Sequence, residues 1–201
     1  MLSSQAEAKV LLDVPFRGDR DYVHSTDLFA SLNDLAQQFL GPDAYLKTLV
    51  LRRRARRQVT AQFRPDVTAF GTFTFTASDR IMEGWLVESQ MAINRRIVFQ
   101  EAPIARAATS QEGRVALRSP VLGYSAIEQL IVLLKMLCAQ CHPGAWLFTS
   151  IHLDYPLSEQ AALAVSRTQL VLSRMIEASL YQDDNQAGRM HMVLPAAGGI
   201  P

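Results

Sequence analysis

The most apolar stretch of this 201-residue chain predicts a buried helix. Residues 122–141 are apolar on almost every side of a helix, and their few polar positions include Glu128 near the start. Ser125 stands where a helix cap would, and a carboxylate such as Glu128 is favoured by the dipole in the first turn. A helix with so little polar surface is typically buried, so we expect this one at the centre of a fold.

A second helix is predicted in residues 27–40, where apolar residues recur at helical spacing. Ser25 or Thr26 is a suitable cap for its first turn, and Gly41-Pro42 is expected to end it.

Alternating apolar and polar positions predict strands through the rest of the chain. The cleanest alternation, in residues 72–77, turns Phe73 and Phe75 inward. The expected strands are residues 8–16, 44–63, 72–77, 85–88, 94–100, 114–118, 145–154 and 188–194, with a bent strand or hairpin in residues 161–181. Residues 102–114 look irregular, and residues 195–201 are expected to be a frayed tail.

The order of these elements is the same in both halves of the chain, since each has one helix followed by several strands. We therefore expect an α+β protein of two tandem units, residues 8–100 and 115–194, in which a long helix is wrapped by antiparallel sheet. The two units are expected to join edge to edge, so that residues 1–201 form one domain.

Composition narrows the function classes. Apolar residues make up 49% of the chain and the net charge is +1, which indicates a globular protein without a bulk attraction to nucleic acid or membrane. The apolar runs are too short to predict a membrane span, and the first residues do not resemble a signal peptide, so a cytoplasmic protein is expected.

The cysteines and histidines do not predict a metal or redox site. Cys138 and Cys141 form a C-x-x-C pattern, but at the end of an apolar helix two core-facing thiols are the expected interpretation. The four histidines have no paired spacing, so we expect no metal, and no nucleotide or serine-hydrolase motif occurs.

The start of the apolar helix resembles the central helix of the beta-hydroxyacyl-carrier-protein dehydratases, which have the hotdog fold. The similarity lies in residues 119–130, where Gly123, Ala126, Gln129 and Leu130 have the family's spacing. Ser125 stands where the family has its catalytic carboxylate, and residues 103–117 contain no counterpart of its catalytic histidine. The tandem arrangement would be a double hotdog, also seen among acyl thioesterases.

This resemblance implies a protein that acts on an acyl thioester of coenzyme A or an acyl carrier protein, by dehydration or hydrolysis and without a cofactor. A non-catalytic acyl-binding or partner-docking protein of the same fold is the alternative. The resemblance leaves the oligomeric state open, and a homo-oligomer is compatible with it.

His24, Glu128 and Asp27 are the predicted catalytic residues. The pKa of a histidine lies nearest neutrality, which suits His24 to act as a base, and either carboxylate could serve as the acid. In a double hotdog His24 could face Ser125 and Glu128. Structural roles compete with these: His24 could bond to backbone, Asp27 could serve the helix dipole, and Glu128 could point to solvent.

Residues around the two helix starts are the predicted substrate contacts: Tyr22, Gly123, Tyr124 and Ser125. Free N–H groups at the N-terminus of the apolar helix are expected to polarise a thioester carbonyl.

The run RRRARR at residues 52–57 is the strongest charge feature. Arg52, Arg54 and Arg56 fall on one side of the strand expected there. Three interpretations remain: a solvated strand face, a docking site for a carrier protein or coenzyme A phosphate, and a nucleic-acid site. The nucleic-acid site is the least favoured, because no aromatic residues interleave with the arginines.

Overall fold

The computed structural model describes residues 8–195, so most of the predicted frayed tail lies outside the described residues. The contacts divide the chain into two compact units, Met1–Phe99 and Gln100–Pro201. Each is an α+β unit with a long helix and an antiparallel sheet. No helix in residues 8–195 is long and apolar enough to cross a membrane.

The first unit has one helix of 16 residues, α1, between short strands. Its elements in chain order are β1 (Lys9–Leu12), β2 (Phe16–Arg17), α1 (Ser25–Leu40), β3 (Tyr45–Leu51), β4 (Val59–Gln62), β5 (Gly71–Ala77), β6 (Arg80–Glu88) and β7 (Arg96–Ile97). The antiparallel sheet has the order β1-β4-β6-β5-β3. β7 does not continue this sheet as expected, because it pairs in parallel with β2.

The core of the first unit lies between helix α1 on one side and strands β3 and β5 on the other. Leu28, Leu32 and Leu35 recur at helical spacing and are all buried. Phe73 and Phe75 are buried as the alternation predicts, and their ring centroids lie 4.7 Å apart. Gly84 on the neighbouring strand makes room for this packing, since a Cβ there would lie only 2.1 Å from Cζ of Phe73.

The second unit is organised around α3, whose buried residues lie on several sides as its sequence predicts. Its elements are α2 (Ala102–Ala107), β8 (Thr109–Gln111), β9 (Arg114–Leu117), α3 (Ala126–Cys141), β10 (Leu147–Leu153), β11 (Leu163–Val171), β12 (Met175–Gln182) and β13 (Asn185–Val193). The antiparallel sheet has the order β10-β13-β12-β11-β9-β8, and α3 contacts β9, β11 and β12. β11 and β12 form a hairpin, one of the two alternatives expected for residues 161–181. The region expected to be irregular contains α2 and β8.

The two cysteines of α3 differ in their surroundings. Cys138 is fully buried, and burial raises the pKa of its thiol to about 12. Cys141 is half-buried rather than core-facing, and its Sγ accepts a hydrogen bond of 2.8 Å from the Arg167 guanidinium. Both thiols are free.

The prediction of one strand through residues 44–63 is wrong. β3 ends at Leu51 and β4 begins at Val59, and the residues between them, 52–58, form a segment that we call the arginine loop. Bonds to other segments hold the loop, since the Val23 N–H donates to the Ala55 carbonyl and the Gln58 N–H to that of Met91. Alternation alone could not reveal these long-range bonds.

Glu88, at the end of β6, fixes the arginine loop. Its Oε2 accepts from the Arg53 guanidinium at 2.5 Å, and its Oε1 accepts from the backbone N–H groups of Arg56 at 2.5 Å and Arg57 at 3.3 Å. Burial by itself would raise the pKa of Glu88, but the hydrogen bonds from Arg53 and Arg56 outweigh it and hold that pKa below 4.5. The charged form of Glu88 is therefore favoured by folding.

We expect Glu88→Gln to lower the free energy of unfolding by about 1 kcal/mol near neutral pH, because a partly exposed charged hydrogen bond is lost. A carboxyl whose pKa is lowered by folding stabilises above its unfolded pKa, and the contribution disappears as pH falls through the folded value. The difference in unfolding free energy between parent and variant should therefore shrink as the pH falls below 4.5, which is the ordinary pKa of a glutamate. Urea unfolding at several pH values measures it.

Glu83→Gln is the matched control, since Glu83 is exposed on the same strand. A pH-independent difference for Glu88→Gln, or an equal loss in Glu83→Gln, would show that the charge of Glu88 does not hold the loop.

Candidate functional site

His24 caps the N-terminus of α1, where Ser25 or Thr26 was expected to do so. The imidazole is 5% exposed, and its Nδ1 lies 2.8 Å from Thr26 Oγ1 and 3.5 Å from Thr26 N. A backbone N–H only donates, so Nδ1 accepts here and the proton of the neutral ring lies on Nε2. The capping interaction therefore selects the tautomer of His24.

Asp27 forms a buried ion pair with Arg17. Both guanidinium–carboxylate bonds, Arg17 Nε to Oδ2 and Nη2 to Oδ1, are 2.7 Å long. The side chains of Arg17 and Asp27 are 8% and 10% exposed. Removing one member of such a pair leaves a buried charge, which is costly. In its predicted catalytic position, Asp27 is therefore already engaged in a structural ion pair with Arg17.

Phe99 joins His24 to this ion pair. The Arg17 guanidinium lies 4.7 Å from the Phe99 ring centroid, and the His24 and Phe99 ring centroids are 6.1 Å apart. Arg17 and Phe99 were not predicted as site residues. Arg17 belongs to a polar stretch whose sequence is typical of a loop, and Phe99 lies far from Arg17 and His24 in the chain. The local sequence therefore did not indicate that either residue belongs to the site.

The arginine loop reaches the segment that leads into His24. The Arg54 guanidinium stacks on Tyr22 with its Cζ 4.5 Å from the ring centroid, and Arg56 Nη2 lies 3.6 Å from Asp21 Oδ2. Arg52 and Arg56 are exposed, whereas Arg54 is half-buried. Within residues 8–195, the Nε of Arg54 is buried without a hydrogen-bond partner. The structure thus brings Arg54 against Tyr22 and Arg56 against Asp21 in the first unit, whereas Arg52 has no contact with this segment among the described residues.

In the second unit, Ser125 and Glu128 form a capping box at the start of α3. Glu128 Oε2 accepts from Ser125 N at 2.8 Å and Ser125 Oγ at 2.9 Å, and Ser125 Oγ accepts from Glu128 N at 3.4 Å. Glu128 is half-buried and turned back onto the helix end. Sequence spacing could have predicted this motif, because a serine followed three residues later by a glutamate is its signature.

Gln129, which is fully buried, positions the turn in front of α3. Its Nε2 donates to the Tyr124 carbonyl and its Oε1 accepts from Val121 N, both at 2.9 Å. Gly123, in the same turn, is exposed and has a φ of 85°. The two predicted substrate contacts Gly123 and Tyr124 are therefore held by a buried amide.

Three of the N–H groups at the start of α3 that were expected to be free have hydrogen-bond partners. Glu159, in the loop before β11, accepts a hydrogen bond of 2.7 Å from Ala126 N. The N–H groups of Ser125, Ala126 and Glu128 thus all have partners inside the second unit. A thioester carbonyl would have to displace the Glu159 carboxylate to bind Ala126 N. Glu159 is 33 residues from Ala126, so local sequence gave no sign of it.

The expectation that His24 faces Ser125 and Glu128 stays a prediction. Within the separate units, the structure places His24 beside the Arg17–Asp27 pair and Glu128 on Ser125. Each predicted catalytic residue therefore has a structural bond at a helix N-terminus.

We expect Glu128→Ala to cost about 1 kcal/mol of folding free energy, because the Ser125 N–H loses its partner. Glu128→Gln keeps an acceptor oxygen and should lose less than half as much, chiefly the favourable charge at the helix dipole. Urea unfolding of both variants measures this. Equal destabilisation by both would show that the charge, rather than the capping geometry, is what α3 requires.

Comparisons with known proteins bear on the fold. No family model matches the sequence, and no curated protein is similar to it in sequence. Among solved structures, the chain is similar to an N-terminal dehydratase from the difficidin assembly line, with 9% identity, a TM-score of 0.51, and 98% of this chain and 96% of that chain covered.

Two further solved structures have lower TM-scores. One is a bifunctional dehydratase-cyclase domain in ambruticin biosynthesis, with 12% identity, a TM-score of 0.47, and 96% and 91% of the two chains covered. The other is an acyl-ACP thioesterase from Bacteroides thetaiotaomicron, with 9% identity, a TM-score of 0.43, and 96% and 99% covered. The resemblance to hotdog-fold dehydratases is confirmed at the level of the fold, a long helix with antiparallel sheet.

Proposed function

We propose that this chain acts on an acyl thioester of coenzyme A or of an acyl carrier protein, with His24 as its acid–base group. The observation that carries the proposal is the buried imidazole at the N-terminus of α1, oriented by Thr26. A histidine held in one orientation can take part in proton transfer or donate a directed hydrogen bond. The fold likeness to a dehydratase supports the same substrate class. We further propose that the two units are tandem hotdog units, which together make a double hotdog.

The tautomer of His24 affects which role the ring can take toward a bound thioester. With Nδ1 accepting from Thr26, the neutral ring carries its proton on Nε2 and can donate a hydrogen bond from there to a thioester carbonyl. Transfer of a proton to a leaving group would require the doubly protonated imidazolium. To remove a proton at Nε2, the ring must first lose the one it carries there. His24 is therefore better prepared as a hydrogen-bond donor than as the base that its sequence suggests.

Glu128 is the proposed second group, which would orient water or exchange a proton with the substrate. Asp27 is less suited, because both of its oxygens accept bonds from Arg17. Gly123, Tyr124 and Ser125 are proposed to contact the acyl chain or thioester. With Glu159 on Ala126 N, that role requires movement of the Glu159 side chain.

The arginine loop is the proposed docking site for the phosphate of coenzyme A or of a carrier protein's prosthetic group. Its backbone is joined to the entry of α1 by the 2.8 Å bond from Val23 N to the Ala55 carbonyl, and His24 is the next residue. Arg52 and Arg56 are exposed, and Arg54 stacks on Tyr22. A guanidinium is well suited to bind phosphate. The loop would hold the charged end of the substrate on the approach to His24.

A non-catalytic acyl-binding or docking protein of the same fold is the second candidate. The observation that favours it is that each predicted catalytic carboxylate has a structural partner, Arg17 for Asp27 and Ser125 for Glu128. A binding protein needs the arginines but no free acid.

We expect His24→Asn to lower turnover of acyl thioesters at least a hundredfold, since acid–base catalysis contributes about that much or more. Asparagine also caps helices, so α1 should keep its stability, whereas His24→Ala should lose about 1 kcal/mol as well as activity. Mass spectrometry of acyl-coenzyme A and acyl-carrier substrates measures turnover, and Glu128→Gln is scanned in parallel.

Binding of substrate without turnover in the parent would favour the docking protein. Full activity in His24→Asn would contradict a catalytic role for His24 while leaving the substrate class open.

We expect the double variant Arg52→Glu, Arg56→Glu to weaken carrier or coenzyme A binding about tenfold, with a smaller dependence on salt, because two phosphate-facing charges are reversed. Calorimetric titration at low and moderate salt measures this. Arg80→Glu is the control, since Arg80 is exposed at the other end of β6. Equal weakening by Arg80→Glu would indicate a net-charge effect and contradict a site in the arginine loop.

A further inference from the structure

A serine, a histidine and a glutamate lie side by side on three adjacent strands of the second unit. Ser150 on β10 is the register partner of His191 on β13, and His191 is the register partner of Glu177 on β12. Their strand neighbours Ile151, Met190 and Ile176 are buried in the core. Successive side chains of a strand point to opposite faces, so the three polar side chains share the face away from that core.

These three side chains are joined by hydrogen bonds. Ser150 Oγ lies 2.9 Å from His191 Nδ1, and His191 Nε2 lies 3.1 Å from Glu177 Oε2. An ionised carboxylate only accepts, so Nε2 donates to Glu177 and Nδ1 of the neutral ring is left to accept from the Ser150 hydroxyl. The glutamate thus selects the tautomer in which the histidine can take the serine proton.

A β-bulge in β10 brings Ser150 onto this face. Phe148 pairs with Met192, and Ser150 pairs with His191, the residue next to Met192. Two steps along β10 are therefore matched by only one step along β13. Without the extra residue, Ser150 would lie on the same face as Phe148, as the sequence alternation predicts. The hydroxyl of Thr149, the extra residue, donates to the His191 carbonyl at 3.1 Å, which holds the bulge against β13.

We propose that Ser150 is an activated nucleophile, with His191 as its general base and Glu177 as the positioning residue. A nucleophile beside a base that is oriented by a third group is the arrangement that activates serine, whatever the fold. The site is partly open to solvent, since the side chains of His191 and Glu177 are 28% and 30% exposed. A small activated ester is the substrate class that such a shallow site would take.

The reaction is acyl transfer to Ser150. Its Oγ forms a bond to the ester carbonyl carbon, its proton passes to His191 Nδ1, and the alkoxide leaves with that proton when its bond to the carbonyl carbon breaks. Hydrolysis by water then returns the serine and releases the acid. β13 is paired on both sides, so its backbone N–H groups serve the sheet and give little help to an oxyanion. Both acylation and hydrolysis of the acyl-serine should therefore be slow, which makes labelling by a reactive probe a better readout than turnover.

Labelling with a fluorophosphonate tests the proposal, because the Oγ–P bond forms as the P–F bond breaks and the proton and fluoride leave. We expect one label per chain, located at Ser150 by peptide mass spectrometry. Ser150→Ala should abolish it, and His191→Gln should slow it at least tenfold. Ser166→Ala, on β11, is the matched control, since its hydroxyl bonds to the Gly113 carbonyl rather than to a histidine.

Glu177→Gln and Glu177→Asp separate positioning from simple packing. The labelling rate of the parent should rise with pH as an imidazole loses its proton, and this dependence should disappear in His191→Gln. Glu177→Gln should slow labelling, and Glu177→Asp should restore part of it. Other polar groups near the three residues include Arg189 on β13, His152 on β10 and Thr168 on β11. Thr168 Oγ1 lies 3.5 Å from Glu177 Oε1, and His152 Nε2 lies 3.4 Å from Asp154 Oδ1.

Circular dichroism shows whether each variant is folded before labelling. A folded parent that takes no label, a label elsewhere in the chain, or an unchanged rate in folded His191→Gln would each overturn the proposal.

Discussion

Burial of one apolar helix on one face of an antiparallel sheet is the constraint on which each unit depends. In the second unit α3 is buried on several sides, and the strands beneath it turn Met190, Ile176 and Ala178 toward the core. The hydrophobic stabilisation is roughly proportional to the apolar area removed from water, so this arrangement leaves little room for polar side chains inside. Polar chemistry is therefore confined to the helix ends, the loops and the outer face of the sheet.

At the helix ends, the same groups serve folding and candidate chemistry. In the first unit His24 caps α1 and is a proposed acid–base group, and in the second unit Glu128 completes the capping box of α3 and is a proposed carboxylate. A helix N-terminus needs acceptors for its unpaired N–H groups, and these residues supply them. The bond that stabilises the helix also orients the side chain, as the Nδ1 contact of His24 shows. Substitutions that preserve capping are therefore informative about catalysis, whereas alanine removes both functions at once.

Charge in the first unit is organised by two carboxylates in different environments. Asp27 balances Arg17 in a buried pair, and Glu88 holds the arginine loop through one guanidinium and two backbone N–H groups. With Glu88 engaged in this way, Arg52 and Arg56 stay exposed on a loop of defined shape. A flexible basic segment would lose more entropy on binding a phosphate, so the anchored loop is better prepared to do so.

Local pattern in the sequence determined the two helices, most strands and the inward phenylalanines Phe73 and Phe75, because apolar periodicity acts over neighbouring residues. The resemblance at the start of α3 also indicated the hotdog-type fold. Tertiary structure alone decided the arginine loop, the bond from Glu159 to the start of α3, and the bulge that turns Ser150 toward His191. These depend on partners far apart in the chain, such as Ser150 and His191, which are 41 residues apart. Strand register and loop closure bring such partners together, and no local pattern encodes them.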